Sequence, residues 1–540
     1  MNAATNLWPG KDLFLTNPSS RLKFYPVKEY GVYMKIFAYA PSGYAGALVS
    51  VEVDIRRGIP GLDIVGLPDN AVRESRERVR VALKRSGFNF PQDRILVNLS
   101  PAGLKKEGAS YDLPIAVGIL SATGQIPDSE ITSVLCAGEL LLDGTVRPVN
   151  AVLPAVAAAM AGDINRFIVP DANLSEALAI PGAIPVGIGN LRTLPGLLEG
   201  EWTAFSHFDK PYYTQAPKQD LSDLKGQPVL RRALEIAAAG GHHILLFGPP
   251  GSGKTMAARA LAGLLPDLDS DKSLEVSRIW SQAGKLRVEE GLITRPPFRE
   301  PHHTSSAEGL IGGGSGMYPG EVSLSHGGVL FLDEAPEYGS RVLQTLREPL
   351  ESGRVDMARA GKTWWYPADF QLQMTMNPCP CGNLGREEAT CLCTTPEISR
   401  YWRHLGGALL DRVDLRVPVP MVKPEDLLEP AGEDSFTVRA RVEDSRERQF
   451  KRYRESFWNI NADIPPGEIH RFIVLDEASS SYLKKAVVQL GLSSRAAHGV
   501  LKVARTLADM ASRDEVSEKD VLESIQHRRY GDRDIFWRTL

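Results

Sequence analysis

HHILLFGPPGSGKTMAARALAG, residues 242–263, carries the spacing G-x-x-x-x-G-K-[ST] from Gly248 to Thr255. Ile244 to Phe247 read as a buried apolar strand and the residues after Thr255 as a helix. That context separates a phosphate site from a chance glycine-rich turn. The residue types follow from the chemistry. Gly251 and Gly253 let the loop Gly248, Pro249, Pro250, Gly251, Ser252, Gly253 curl its N–H groups around phosphate oxygens, at the positive end of the next helix. Lys254 would reach the β- and γ-phosphates, and Thr255 would ligate Mg²⁺. The cofactors expected are ATP and Mg²⁺, on an α/β domain.

The rest of a hydrolytic site lies downstream. In GGVLFLDEAPE (327–337), Val329 to Leu332 form a second buried strand ending in Asp333 and Glu334. Asp333 would hold Mg²⁺ through water, and Glu334 would orient and polarise the attacking water. FQLQMTMNPCP (370–380) is a third strand with Asn377 at its polar tip, expected between the carboxylates and the γ-phosphate. In ALLDRVDLRVP (408–418), Arg412 sits on a short turn, where ring ATPases place an arginine that stabilises charge on a neighbouring subunit's γ-phosphate. Arg495, heading a helix in LSSRAAHGVLKVARTLAD, is expected to fold over its own subunit's nucleotide.

Outward from this centre, 540 residues make about three domains the natural division. Composition is that of a globular chain, and a net charge of −4 makes any nucleic-acid contact a matter of a local patch or a ring. No apolar run reaches the roughly 18 residues of a membrane span, and no signal-peptide core stands near Met1, so the expected location is the cytoplasm. Residues 1–33 read as an irregular arm, with regular patterning from Met34. Residues 34–198 alternate strands (47–55, 94–100) with helices (69–87, 112–124, 152–162) and make a first α/β domain. Residues 199–221 read as a linker, 222–430 as the nucleotide domain, 431–530 as an all-α lid bundle and 531–540 as a tail.

GGHHILLFGPPGSGKT, FREPHHTSS, GEVSLSHGGVLFLDEAPE, LREPLESGRV, MNPCPCG and LSSRAAHGVLKVARTLAD together resemble the ComM/YifB family of magnesium-chelatase-like AAA+ proteins, from Met34 to about Arg528. DEAPEY departs from the family's usual apolar residue and Phe but keeps Asp333 and Glu334. The resemblance implies a homo-hexameric ring that spends ATP on DNA branch migration in recombination and natural transformation, acting on single-stranded and branched DNA beside a recombinase. A metal-chelatase motor subunit and a Lon-like ATP-dependent protease are the alternatives.

ESGRVDMARAGKTWWYPADF (351–370) reads as a β-hairpin with a basic tip, Arg359 and Lys362, suited to gripping phosphates without regard to base sequence. Trp364, Trp365 and Tyr366 on its return strand read as packing residues. EGLIGGGSGMYPGEV (308–322) reads as a second pore element or inter-subunit loop exposing Tyr318. His302 and His303, taken as neighbours on a strand, should point to opposite sides and share no metal. Cys379, Cys381, Cys391 and Cys393 form CxC-x9-CxC, a set suited to structural Zn²⁺, with free thiols and an iron–sulfur cluster as alternatives.

KKEGASYDLPIAVGILSATGQIP (105–127) resembles the active-site segment of Lon proteases, with Ser110 at the nucleophile's position. Such a serine needs a lysine base, and the matching position in GELLLDGTVRPVNAVLPAVAAA (138–159) is Leu153. The first domain is therefore expected to be Lon-like in fold and inactive as a peptidase, with Lys105 and Lys106 the remaining candidates for a base.

Overall fold

The computed structural model describes residues 32–127, 131, 133–199, 219–286, 291–314, 316–359, 362–386, 389–428, 430 and 432–530. Residues 1–31 of the arm, 200–218 of the linker, 360 and 361 of the hairpin tip, and the tail 531–540 lie outside them.

The first α/β unit is a seven-stranded mixed sheet, ordered Gly61–Val65, Arg94–Ser100, Ala47–Arg56, Val32–Ala40, Val134–Cys136, Arg166–Pro170, Ile184–Ile188. The first strand among the described residues runs over Val32–Ala40. Period-two alternation in Ala47–Arg56 puts Val49, Val51 and Val53 in the core. Three expected helices form, over Asn70–Arg85, Asp112–Ala122 and Val152–Met160. Asp69 caps the first, accepting the Val72 N–H at 2.8 Å. The second is buried on every side and lies on the sheet at Gly118, where a Cβ would stand 2.7 Å from Val53 Cγ2.

The nucleotide unit is a five-stranded sheet in which every pairing is parallel, ordered Phe298–Arg299, Val329–Leu332, Gln371–Met376, Ile244–Phe247, Leu415–Pro418. Helices cover both faces, which is why VLFL and ILLF are apolar throughout rather than alternating. Parallel pairing aligns all five carboxyl ends at one edge, and the phosphate loop, Asp333 and Asn377 each directly follow such an end.

Four longer helices, Ser435–Arg452, Glu477–Leu490, Ser494–Met510 and Glu518–Arg528, form most of the C-terminal region. Buried polar bonds tie it to the start of the phosphate-loop strand. His242 Nδ1 meets Asp414 Oδ2 at 2.9 Å and its Nε2 meets Thr506 Oγ1 at 2.8 Å, and Asn461 Nδ2 bridges Thr506 and Asp509 at 3.0 and 2.9 Å. Neighbouring His243 takes the Leu372 N–H on Nδ1 at 3.0 Å. Burial pushes the His243 imidazole down to about 4, against the opposing pull of Asp414. A base depressed in the fold binds fewer protons there than in the unfolded chain between pH about 6.5 and 4, so its contribution to stability is lost as pH falls through that window. Thermal-unfolding midpoints should accordingly drop from pH 7 to pH 5, with a shallower drop in His243→Asn. An unchanged slope in that variant would assign the acid sensitivity to other groups.

The first unit docks on the second. Glu176, buried, accepts from Leu153 N at 2.8 Å and from the Ser281 hydroxyl, and Gln282 Nε2 donates to Gly43 O at 2.6 Å. Arg278 lies over the Tyr44 ring, 4.5 Å from its centroid.

Candidate active site

Three neighbouring strands deliver the expected groups to one place. Gly253 adopts φ +91°, the left-handed region that glycine reaches without strain, as it turns the loop into the helix Lys254–Leu264. A Cβ on Gly248 would stand 2.0 Å from Val419 O, so the loop's first glycine is required by close backbone approach. Lys254 Nζ donates to Gly248 O at 2.8 Å and Pro249 O at 2.9 Å, and lies 3.5 Å from Asn377 Oδ1. Burial lowers its pKa while Asp333 and Glu334 pull it back up. Thr255 Oγ1 donates to Asp333 Oδ2 at 3.1 Å. Lys254, Thr255, Asp333, Glu334 and Asn377 are thus brought together.

Glu334 is exposed, and its backbone is left-handed at φ +51°. A non-glycine residue held there carries local strain, and such residues cluster at functional sites. Thr375, overlooked in the sequence, holds this geometry: its hydroxyl accepts the Glu334 N–H at 2.9 Å and donates to Asp333 Oδ1. The signal was the polar alternation Gln371, Gln373, Thr375 in the strand QLQMTM, which carries on to Asn377 two positions later and on the same face. Gln227 was also overlooked. It is buried, bonds Ser252 O at 2.9 Å and Pro420 O at 3.3 Å, and also lines a cavity of about 400 Å³ between segments 221–235 and 430–441.

A second cavity, about 330 Å³, is walled by Asp333, Glu334, Arg259, Glu300, Pro301, His302 and His303. The two histidines correct an expectation. They lie in a turn rather than a strand, and their rings stack with centroids 4.2 Å apart instead of diverging.

Arg412 and Arg495 are elsewhere. Arg412 donates to Glu351, and Arg495 Nη2 donates to the same carboxylate at 2.6 Å. Arg412 precedes the strand Leu415–Pro418, whose amino end pairs with Ile244, the first residue of the phosphate-loop strand. Both arginines therefore sit toward the amino ends of the strands, away from the edge that carries Lys254 and Glu334. Arg495 was expected over its own subunit's nucleotide; the helix it heads, Ser494–Met510, bonds through Thr506 to His242, which precedes the phosphate-loop strand.

The hairpin forms, Arg354–Arg359 against Lys362–Pro367, with Arg359 paired to Lys362 in register. Arg359 Nη1 donates to Gly314 O and Tyr366 OH to Met317 O at 3.0 Å, which joins the hairpin to the glycine-rich loop; Tyr318 there is 52% exposed. The side chain of Lys362 lies outside the described residues. Trp364 Nε1 donates to Ser42 Oγ at 3.1 Å and the Trp365 ring lies 5.4 Å from Tyr44, so the tryptophans anchor the hairpin to the first unit.

Both lysines weighed as a base for Ser110 are engaged with other partners. Lys106 is buried with its ammonium on Gly66 O and Pro101 O, Lys105 pairs with Glu107, and Leu153 is buried. Among the described residues, one group could hold a metal: Cys379, Cys381, Cys391 and Cys393, with sulfur atoms all within 4.8 Å of one another.

Fold and site together define a phosphate-loop protein of the AAA+ arrangement. Family models described as magnesium chelatase, subunit ChlI, subunit ChlI of Mg-chelatase, and magnesium chelatase, subunit ChlI C-terminal match residues 220–427, 51–173 and 432–528. An uncharacterized protein of Mycobacterium tuberculosis is 42% identical over 92% of this chain and 99% of its own. YifB of Escherichia coli is 41% identical over 89% and 94%, and competence protein ComM of Haemophilus influenzae 39% over 91% and 97%. The chain belongs to the ComM/YifB family of magnesium-chelatase-like AAA+ proteins. Among the described residues, no helix is long and apolar enough to cross a membrane.

Proposed function

We propose that this protein hydrolyses ATP with Mg²⁺ as a homo-hexameric ring in the cytoplasm, and that turnover moves it along DNA to drive branch migration in recombination, alongside a recombinase. The observation that carries the reading is the split site. Lys254, Thr255, Asp333, Glu334 and Asn377 share one edge of the sheet, while Arg412 and Arg495 share Glu351 toward the other. A subunit so built binds nucleotide with one side and offers arginines to its neighbour's nucleotide with the other. Lys254 would hold the phosphates, Thr255 and Asp333 the Mg²⁺, Glu334 the attacking water and Asn377 the γ-phosphate end. Gly248, Pro249, Pro250, Gly251, Ser252 and Gly253 would wrap the phosphates. The cysteine cluster would hold a structural zinc ion. The first unit, with Ser110 lacking a base, would serve as a docking platform rather than a peptidase.

DNA is assigned to the hairpin and the glycine-rich loop. The tryptophans anchor the hairpin on Ser42 and Tyr44 and place Arg359 and Lys362 at its opposite end, where Arg359 meets the glycine-rich loop, and the family includes a protein named for competence. Single-stranded DNA should stimulate ATP turnover, and ATP should drive unwinding of a four-way junction. Arg359→Ala combined with Lys362→Ala should weaken DNA binding about tenfold at moderate salt while sparing basal turnover. DNA affinity equal to wild type in that double variant would remove the hairpin from the DNA path, and no turnover under any DNA condition would remove the whole reading.

A further inference from the structure

Cys379 comes two residues after Asn377, and the segment it opens folds back on itself at once. Gly382 N donates to Cys379 O at 3.0 Å, Leu384 N to Cys379 Sγ at 3.4 Å, and the Asn383 backbone to Cys381. The sulfur atoms of Cys379 and Cys381 are 3.4 Å apart, those of Cys379 and Cys391 3.6 Å, and those of Cys381 and Cys391 3.7 Å. Each gap is far beyond the roughly 2.05 Å of a disulfide. Four thiolates on one tetrahedral Zn²⁺ at about 2.3 Å require sulfur–sulfur separations of about 3.7–3.8 Å. An iron–sulfur cluster, which spreads its cysteines over several irons, would need wider spacing. The knot also touches the nucleotide site at two points. Gly382, at φ +76°, presses on the phosphate loop so closely that a Cβ there would stand 3.1 Å from Pro250 Cγ and Cδ. Asn377 is clamped between the strand Gln371–Met376 and Cys379, with the Tyr401 hydroxyl bonded to its backbone and Trp402 Nε1 donating to Pro378 O at 3.1 Å.

We propose that Cys379, Cys381, Cys391 and Cys393 bind one Zn²⁺, and that the resulting knot positions the phosphate loop through Gly382 on Pro250, and Asn377 through Cys379. Zn²⁺ replaces four thiol protons and closes a 15-residue segment whose described residues form no strand or helix before Thr395. Without the ion the segment loses the link between its two ends, and Pro250 and Asn377 lose the surface that holds them. These four are positioning residues, since none touches nucleotide. The coupling rests on the ATP site proposed above, whereas the metal site does not.

The test uses the full-length chain. Elemental analysis should find one zinc per chain, and Co²⁺ replacement should give the visible d–d spectrum of a tetrahedral thiolate site. Cys381→Ser with Cys393→Ser alters one exposed and one half-buried ligand and should lose the ion while keeping the wild-type circular dichroism spectrum. ATP affinity and turnover should then each fall about tenfold or more, the scale at which a displacement of roughly 1 Å is felt. Cys136→Ala, which removes the remaining cysteine, should keep both zinc and turnover. Zinc-free wild type overturns the metal site. A zinc-free variant with unchanged ATP affinity and turnover overturns the coupling and leaves the metal site standing. A zinc-loaded protein that never hydrolyses ATP overturns the ATPase reading alone.

Discussion

Glu334→Gln is expected to bind ATP as wild type does and to turn it over about 100- to 10,000-fold more slowly, the range associated with loss of a general base. The amide keeps the size and the hydrogen-bond reach of the carboxylate but cannot take a proton from water. Lys254, Thr255 and Asp333 would still hold the triphosphate and its metal, so affinity is the internal control. The strained backbone at φ +51° and the Thr375 hydroxyl on the Glu334 N–H place the carboxylate at the end of its strand. Both features involve only the main chain of residue 334 and survive the substitution. The measurement is nucleotide binding by equilibrium fluorescence beside single-turnover hydrolysis. Hydrolysis at the wild-type rate would assign the water to another group, and the stacked His302 and His303 on the same cavity would be examined first.

Arg412→Ala should lower turnover about 1,000-fold or more, the scale of an arginine that neutralises transferring phosphate, while leaving ATP affinity within a few-fold of wild type. What distinguishes this variant is its behaviour in mixtures. Lys254→Ala subunits, unable to grip phosphate, and Arg412→Ala subunits, unable to stabilise its transfer, should each be inactive alone. Mixed, they should recover measurable turnover, because some interfaces then join an intact Lys254 to an intact Arg412. The structure motivates this through Glu351, which holds Arg412 and Arg495 together at the far side of the sheet from their own phosphate loop. Mixtures that stay inactive would mean that Arg412 serves its own subunit or none.

The local chemistry of the site was legible because its signals are short. A loop such as GPPGSGKT works through backbone amides and one lysine within eight residues, so spacing alone reports it. The apolar run ending in Asp333 was legible for a related reason, since VLFL is buried on both faces up to the edge where chemistry can occur. Thr375 and Gln227 escaped because neither falls in a recognisable motif: Thr375 is one of three alternating polar residues in its strand, and Gln227 precedes its helix. Their function is to bond Asp333, the Glu334 N–H and Ser252 O across the fold.

Amino-acid order by itself determined the α/β class, the phosphate loop, the carboxylate pair, the sulfur-rich segment and membership of the family. Only tertiary structure decided that the two arginines meet on Glu351, that the tryptophans serve the docking of the first unit, and that four sulfurs converge in a segment whose Gly382 meets Pro250. The physical reason is range. Phosphate binding and strand burial are written in contiguous residues, whereas which edge a helix reaches, or which surface a loop roofs, depends on how parallel strands far apart in the chain take their order in the sheet.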